Sequence, residues 1–141
     1  MDVHSVVKSK KLYLFDMDGT LYIGNRLYSF TIVLLDTLKR NGCRYLFMTN
    51  NSSKSVNDYI KKLDALGISA TREDFITSSQ ATAYYLQQHY AGKILYVCGT
   101  ESLKQELREE GFTVSENIEQ TQCIVMGFDT ELTFQKLHDV S

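Results

Sequence analysis

Short apolar runs alternate with amphipathic stretches along the chain. Leu12–Phe15, Tyr45–Met48, Phe75–Thr77, Ile94–Val97 and Cys123–Met126 are too short for helices. Their length and composition predict strands, and Leu12–Phe15 and Tyr45–Met48 are predicted to be buried ones. Between them the apolar positions recur at helical spacing. Ile32, Leu35 and Leu38 share a face in a stretch that Ser29 can cap and Gly42 can stop. Val56, Tyr59, Ile60 and Leu63 repeat the pattern after Ser53 or Ser55, up to Gly67. Gln80–Tyr90 and Glu101–Glu110 (before Gly111) read as two more helices, and Thr133–Val140 as the start of a helix that the chain end cuts short. Strands alternating with helices mean βαβ units, so the fold class is α/β with a parallel sheet.

Composition narrows the function classes. The 141 residues suffice for about one ordinary domain with one core. A net charge of -2 gives no basic face, so no nucleic acid partner is expected. No apolar run exceeds about five residues, too short to span a membrane. Met1–Lys11 has no apolar core, so no signal peptide is read there. Cys43, Cys98 and Cys123 are odd in number, widely spaced and without a CxxC, which predicts reduced thiols and a cytoplasmic location. Proline is absent, so turns must be built from Gly, Asn, Asp and Ser. His4, in the N-terminal tail, and His89 and His138, on helices with no Cys or carboxylate partner at ligand spacing, are predicted bystanders.

The informative segment is Leu12-Tyr13-Leu14-Phe15-Asp16-Met17-Asp18-Gly19-Thr20-Leu21-Tyr22. An apolar strand delivers two carboxylates, two residues apart, at its C-terminal end, where open α/β sheets bind their ligands. Phosphate-monoester hydrolysis is so slow uncatalysed that it needs a positioned nucleophile and charge neutralisation. Asp16 as nucleophile can form an aspartyl-phosphate and split the reaction into two displacements. A carboxylate and a phosphate repel, so a cation must lie beside them, and oxygen-only ligation favours Mg²⁺. Asp18 can protonate the leaving oxygen and then deprotonate the attacking water. Gly19 permits a tight turn, and the Thr20 hydroxyl can orient Asp18. Taken alone, Asp-x-Asp-Gly also fits a solvated turn closing a strand.

The complete string resembles motif I of the haloacid-dehalogenase superfamily of phosphatases. Thr49-Asn50-Asn51-Ser52-Ser53, ending the strand Tyr45–Met48, is similar to motif II, with Thr49 as the phosphoryl-binding hydroxyl. The separation from Asp16 fits one intervening helix. With Asp-Met-Asp-Gly-Thr-Leu-Tyr-Ile-Gly, the second string resembles subclass IIA, the group of N-acetylglucosamine-phosphate-type, p-nitrophenylphosphate and pyridoxal-phosphate phosphatases. There an α/β cap is inserted between motifs II and III. Ile76–Ala83 looks like the entry to that cap, and Ile94–Thr100 and Ile124–Asp129 look like its first strands. The form Leu21–Tyr28 matches the hairpin flap after motif I, with Gly24-Asn25 as its turn. A departure is Ser29-Phe30-Thr31, where many members have a Pro-Gly-Ala-like string.

The resemblance implies a Rossmann-like parallel-sheet core (first half) over residues 1–78, and the beginning of the inserted α/β cap over 79–141. It implies a phosphoric monoester hydrolase acting on a small phosphorylated metabolite. Asp16 and Asp18 are catalytic, and both are ligands of Mg²⁺, Asp18 through its backbone carbonyl. Gly19, Thr20, Thr49, Asn50 and Asn51 bind substrate.

Two motifs of the family have no counterpart. None of Lys54, Lys61, Lys62, Lys93, Lys104 and Lys136 follows the expected second half of the core, and no Asp-Asp pair exists. Gly127-Phe128-Asp129-Thr130-Glu131 imitates the last acidic motif, but its context is a cap strand and the helix after it. The chain is therefore expected to stop inside the cap and to be inactive alone. Two other readings compete: a phospho-acceptor signalling domain, disfavoured because no acidic residue ends a third strand, and a non-catalytic interaction module. An incomplete sheet leaves an unpaired edge and an uncovered apolar face, which predicts homo-oligomerisation by strand pairing or exchange, or poor folding.

Overall fold

The computed structural model describes Ser9–Ser141 and divides into two compact units. The first comprises the described residues up to Thr49 together with Ile60–Ile76; the second comprises Asn50–Tyr59 and Thr77–Ser141.

In the first unit the strands β1 (Leu12–Asp16) and β4 (Arg44–Thr49) pair in parallel, in register from Leu12 opposite Arg44 to Asp16 opposite Met48. A short strand, β5 (Phe75–Thr77), flanks β4 on its other side. Between β1 and β4 lie a two-stranded hairpin, β2 (Tyr22–Ile23) with β3 (Arg26–Leu27), and the helix α1 (Thr31–Arg40). The hairpin turns through Gly24-Asn25, as the sequence predicts. Alternation along β4 buries Tyr45, Phe47 and Thr49, and the Phe47 and Phe75 rings lie 5.5 Å apart. Leu35 and Leu38 are the buried stripe of α1.

Two expectations need correction. Ser29 does not cap α1: the N-cap is Phe30, with no side-chain cap hydrogen bond. The helix start is held instead by Thr31, whose buried hydroxyl donates to the Leu21 carbonyl at 2.6 Å. β1 is not a buried strand either, since Leu12 and Leu14 are 52% and 50% exposed. It lies at the sheet edge with β4 as its one neighbour, and its outward-facing leucines have no covering layer among the described residues.

The second unit holds the start of α2 (Val56–Ala65), which runs on into the first unit, and then α3 (Ser78–His89), β6 (Leu95–Cys98), α4 (Glu101–Glu109), β7 (Cys123–Met126) and α5 (Phe134–Val140). Here β6 and β7 pair in parallel. Helix starts follow cap chemistry. Ser55, not Ser53, caps α2: its hydroxyl accepts from Asp58 N while Asp58 accepts from Ser55 N at 2.8 Å. Thr77 and Gln80 form the same reciprocal box on α3. Gly42, Gly67 and Gly111 follow α1, α2 and α4 with φ of 66°, 82° and 91°.

The core of this unit is Ala83, Leu86, Leu95, Val97, Leu103, Leu107 and Phe112. Leu95 and Leu107 are fully buried, so truncation leaves a cavity. Leu107→Ala is expected to destabilise by about 2–5 kcal/mol, read from the denaturant midpoint at unchanged m-value.

Tyr96, buried on β6, donates its hydroxyl to Asp139 Oδ2 at 2.8 Å. Burial first, and the carboxylate second, push its phenol up to about 12. The folded pKa lies above the unfolded one, so the native state holds the proton longer. The stabilisation is complete below about pH 10 and is lost as pH rises through about 12. Absorbance titration should show a late-ionising tyrosine that disappears in Tyr96→Phe.

Candidate active site

The site begins with the alternation that ends β1. Asp16 and Asp18 are exposed while Met17, between them, is completely buried. A two-residue period puts both carboxylates on one side and anchors the segment through Met17. The turn then closes on Met17, whose carbonyl accepts from the amides of Thr20 at 3.2 Å and Leu21 at 3.0 Å. Gly19 N donates to Tyr22 O at 2.8 Å. Gly19 has φ +83° and open space around a notional Cβ, so the backbone twist, and not crowding, calls for glycine.

Each carboxylate has its own partners. Thr20 Oγ1 donates to Asp16 Oδ2 at 3.3 Å. This corrects the expectation that Thr20 orients Asp18. The partners of Asp18 come from further along the chain: Tyr22 Oη donates to Oδ2 at 3.4 Å, and Lys62 Nζ, on α2, donates to Oδ1 at 3.3 Å. The Lys62 ammonium also lies 4.0 Å from the centroid of the Tyr22 ring. Thr49 ends β4 one residue beyond Met48, the register partner of Asp16, and is 92% buried (8% exposed). Parallel pairing therefore brings Asp16 and Thr49 to the same C-terminal sheet edge.

Asn50 and Asn51 belong to the second unit. The Asn51 side-chain oxygen accepts from Ser53 N at 2.9 Å and Ser53 Oγ at 2.7 Å, which bends the loop after the strand. The Asn50 carbonyl accepts from Ser78 Oγ at 3.2 Å. Asp129 of the imitating acidic string is held in its own unit, paired with Lys136 Nζ at 2.8 Å.

Lys62 and Tyr22 were not singled out from the sequence. A partial signal exists: Tyr59, Lys62 and Leu63 share a helix face, and Tyr59 and Leu63 are buried. His89 and His138 are exposed on their helices, and His4 lies outside the described residues. Among the described residues no cluster of three or more His, Cys, Asp or Glu could hold a metal. No helix among them is long and apolar enough to cross a membrane. The three cysteines are free, Cys98 being buried.

The sequence pattern of the family described as haloacid dehalogenase-like hydrolase matches residues 13–113. The chain is similar to the 5'-nucleotidase YutF of Bacillus subtilis, 37% identical over 130 residues, covering 92% of this chain and 50% of that protein. Among solved structures it resembles a 4-nitrophenylphosphatase from Thermotoga maritima, with TM-score 0.88 and 31% identity over 95% of this chain and 51% of that one. It also resembles a glycerol phosphate phosphatase from Mycobacterium tuberculosis, solved in complex with magnesium. There the TM-score is 0.85 and the identity 28%, over 96% of this chain and 41% of that one. The chain thus spans about half the length of the curated relatives it matches. Its α/β fold is that of these neighbours, and its matched segment holds both carboxylates and Thr49: the chain belongs to the haloacid dehalogenase-like hydrolase family.

Proposed function

We propose that this chain is the nucleophile-bearing half of a Mg²⁺-dependent phosphatase for a small phosphorylated metabolite. On this reading residues 1–78 belong to the catalytic core and 79–141 to its cap. The carrying observation is the division of partners: Thr20 fixes one oxygen of Asp16, while Lys62 and Tyr22 hold Asp18 separately. Two carboxylates two residues apart thereby have distinct environments, as a nucleophile and an acid/base require.

An oxygen of Asp16 attacks phosphorus as the ester P–O bond breaks, and Asp18 gives its proton to the departing alkoxide. Water then attacks the same phosphorus and loses a proton to Asp18, the Asp16–phosphorus bond breaks, and inorganic phosphate leaves. The Thr49 hydroxyl, at the same sheet edge, donates to the transferring phosphoryl group, and Gly19 and Thr20 line the substrate; Asn50 and Asn51 are substrate-binding residues by the family resemblance. The oxygen-only donors of this edge suit Mg²⁺, held by the Asp16 carboxylate and the Asp18 backbone carbonyl. That ion supplies charge neutralisation between carboxylate and phosphate. The naming of a magnesium complex for the similar mycobacterial phosphatase supports the choice.

The neutralising lysine and the remaining acidic ligands have no counterpart here, and polypeptide outside these residues supplies them. Three free cysteines fit a reducing, cytoplasmic setting. The test is p-nitrophenyl phosphate hydrolysis by the full-length protein and by the 141-residue chain. The full-length protein should turn over with Mg²⁺ and stop with EDTA, and the chain alone should be slower by several orders of magnitude. Equal rates for the two would overturn the division of labour, and EDTA-resistant turnover would overturn the metal.

A further inference from the structure

We propose that Lys62 is a positioning residue for Asp18, acting through a clamp whose fixed point is the ring of Tyr22; the inference rests on the acid/base reading of Asp18 above. A lysine beside an exposed aspartate is ordinarily a weak surface pair that holds no fixed geometry. The Asp18 carboxylate is 54% exposed, so by itself it fits that description. Lys62 does not. Its side chain is only 18% exposed, and its ammonium rests over the ring of Tyr22, a residue that is completely buried.

The same tyrosine closes the arrangement. Lys62 Nζ contacts Asp18 Oδ1, Tyr22 Oη contacts Asp18 Oδ2, and the Tyr22 ring seats Lys62 Nζ. A rotation of the Asp18 side chain that releases one oxygen disturbs the other. Tyr22 is itself held by the hairpin register opposite Leu27 and by the bridge to Asp18. Helix α2, the turn after β1 and the hairpin thus converge on one carboxylate. Asp16 is held by Thr20 instead, so the lysine acts on the acid/base and not on the nucleophile. A group that must deliver a proton to a leaving oxygen gains from this restraint, since displacement by about 1 Å can cost on the order of a hundredfold in rate.

Two experiments test the clamp. In the full-length enzyme, Lys62→Met should lower kcat by roughly ten- to a hundredfold with KM changed by less than about twofold. Lys62→Arg keeps the charge and the ring contact and should recover most of that loss. Tyr22→Phe keeps the ring but drops the hydroxyl, and should fall between them. A raised KM at unchanged kcat would make Lys62 a phosphate-binding lysine and overturn the proposal. Unchanged kinetics, or an Arg variant as slow as the Met variant, would overturn it too.

The second experiment needs no activity. In the full-length enzyme, the Lys62 ε-methylene protons, read by selective lysine labelling, should resonate upfield under the Tyr22 ring current and move downfield in Asp18→Asn. An unshifted resonance would overturn the clamp whatever the enzyme does. Unchanged turnover in an Asp18→Asn enzyme would instead sink the acid/base reading on which the proposal rests and leave the spectroscopic result standing, so the two failures are distinguishable.

Discussion

Replacing Asp16 by Asn should leave the full-length protein with less than about one per cent of its phosphatase turnover. An amide oxygen is a poor nucleophile and a weaker ligand for a hard cation, so the substitution removes covalent catalysis and weakens metal binding together. The fold should be indifferent to it. Asp16 is exposed at the end of β1, and Thr20 can donate to the amide oxygen as it does to the carboxylate. The melting temperature should therefore stay near that of the unsubstituted protein while the rate collapses. Turnover above about one per cent, in an Asn variant free of deamidation, would count against Asp16 as the nucleophile.

Asp18→Asn should lower turnover by about 10²–10⁴-fold through both half-reactions. An amide can neither protonate the departing alkoxide nor take a proton from the attacking water, so rapid-quench kinetics should find phosphorylation and dephosphorylation both slowed. Mg²⁺ affinity measured by calorimetry should change little, because the proposed contact is the backbone carbonyl, which the substitution leaves in place. The side chain also loses its charge pair with Lys62 while Tyr22 Oη keeps an acceptor. An Asp18→Asn enzyme that failed only in metal binding would show that the acid/base role is assigned to the wrong group.

The lettering of the site was legible because it is local. Asp-Met-Asp at the end of an apolar run states by its two-residue period that both carboxylates emerge together and that Met17 is the anchor. Gly19 likewise announces its positive φ. Thr49 could be placed beside Asp16 because a parallel βαβ unit leaves little choice of register.

What could not be read is what depends on contacts distant in sequence. An apolar run such as Leu12–Phe15 looks buried whatever covers it, yet Leu12 and Leu14 are half exposed because, among the described residues, β1 has one strand neighbour and no layer over that face. Ser29 has the right chemistry for a cap, but the helix start is decided by the Thr31 bond to Leu21, ten positions back. The most consequential example is Lys62. Its helix phase is visible from Tyr59 and Leu63, but nothing local distinguishes it from Lys61, which faces solvent on the same helix. Only the folded hairpin, which puts Tyr22 beneath its ammonium, singles it out. The exposed β1 face has a further expected consequence. The isolated chain should associate through strand pairing at that edge, or fold poorly, and sedimentation that found a cooperative, monodisperse monomer would contradict this.

On the proposed mechanism the phosphoryl group passes through a covalent bond to Asp16. The direct measurement is acid-quench trapping of the full-length enzyme within its first turnover of p-nitrophenyl phosphate and Mg²⁺, followed by peptide mass spectrometry. One phosphoryl group should be found on the peptide containing Asp16, labile to mild base, accumulating further in Asp18→Asn if dephosphorylation slows more than phosphorylation, and absent from Asp16→Asn. A full first turnover with no trapped phosphoryl group, or with the label on another residue, would contradict it.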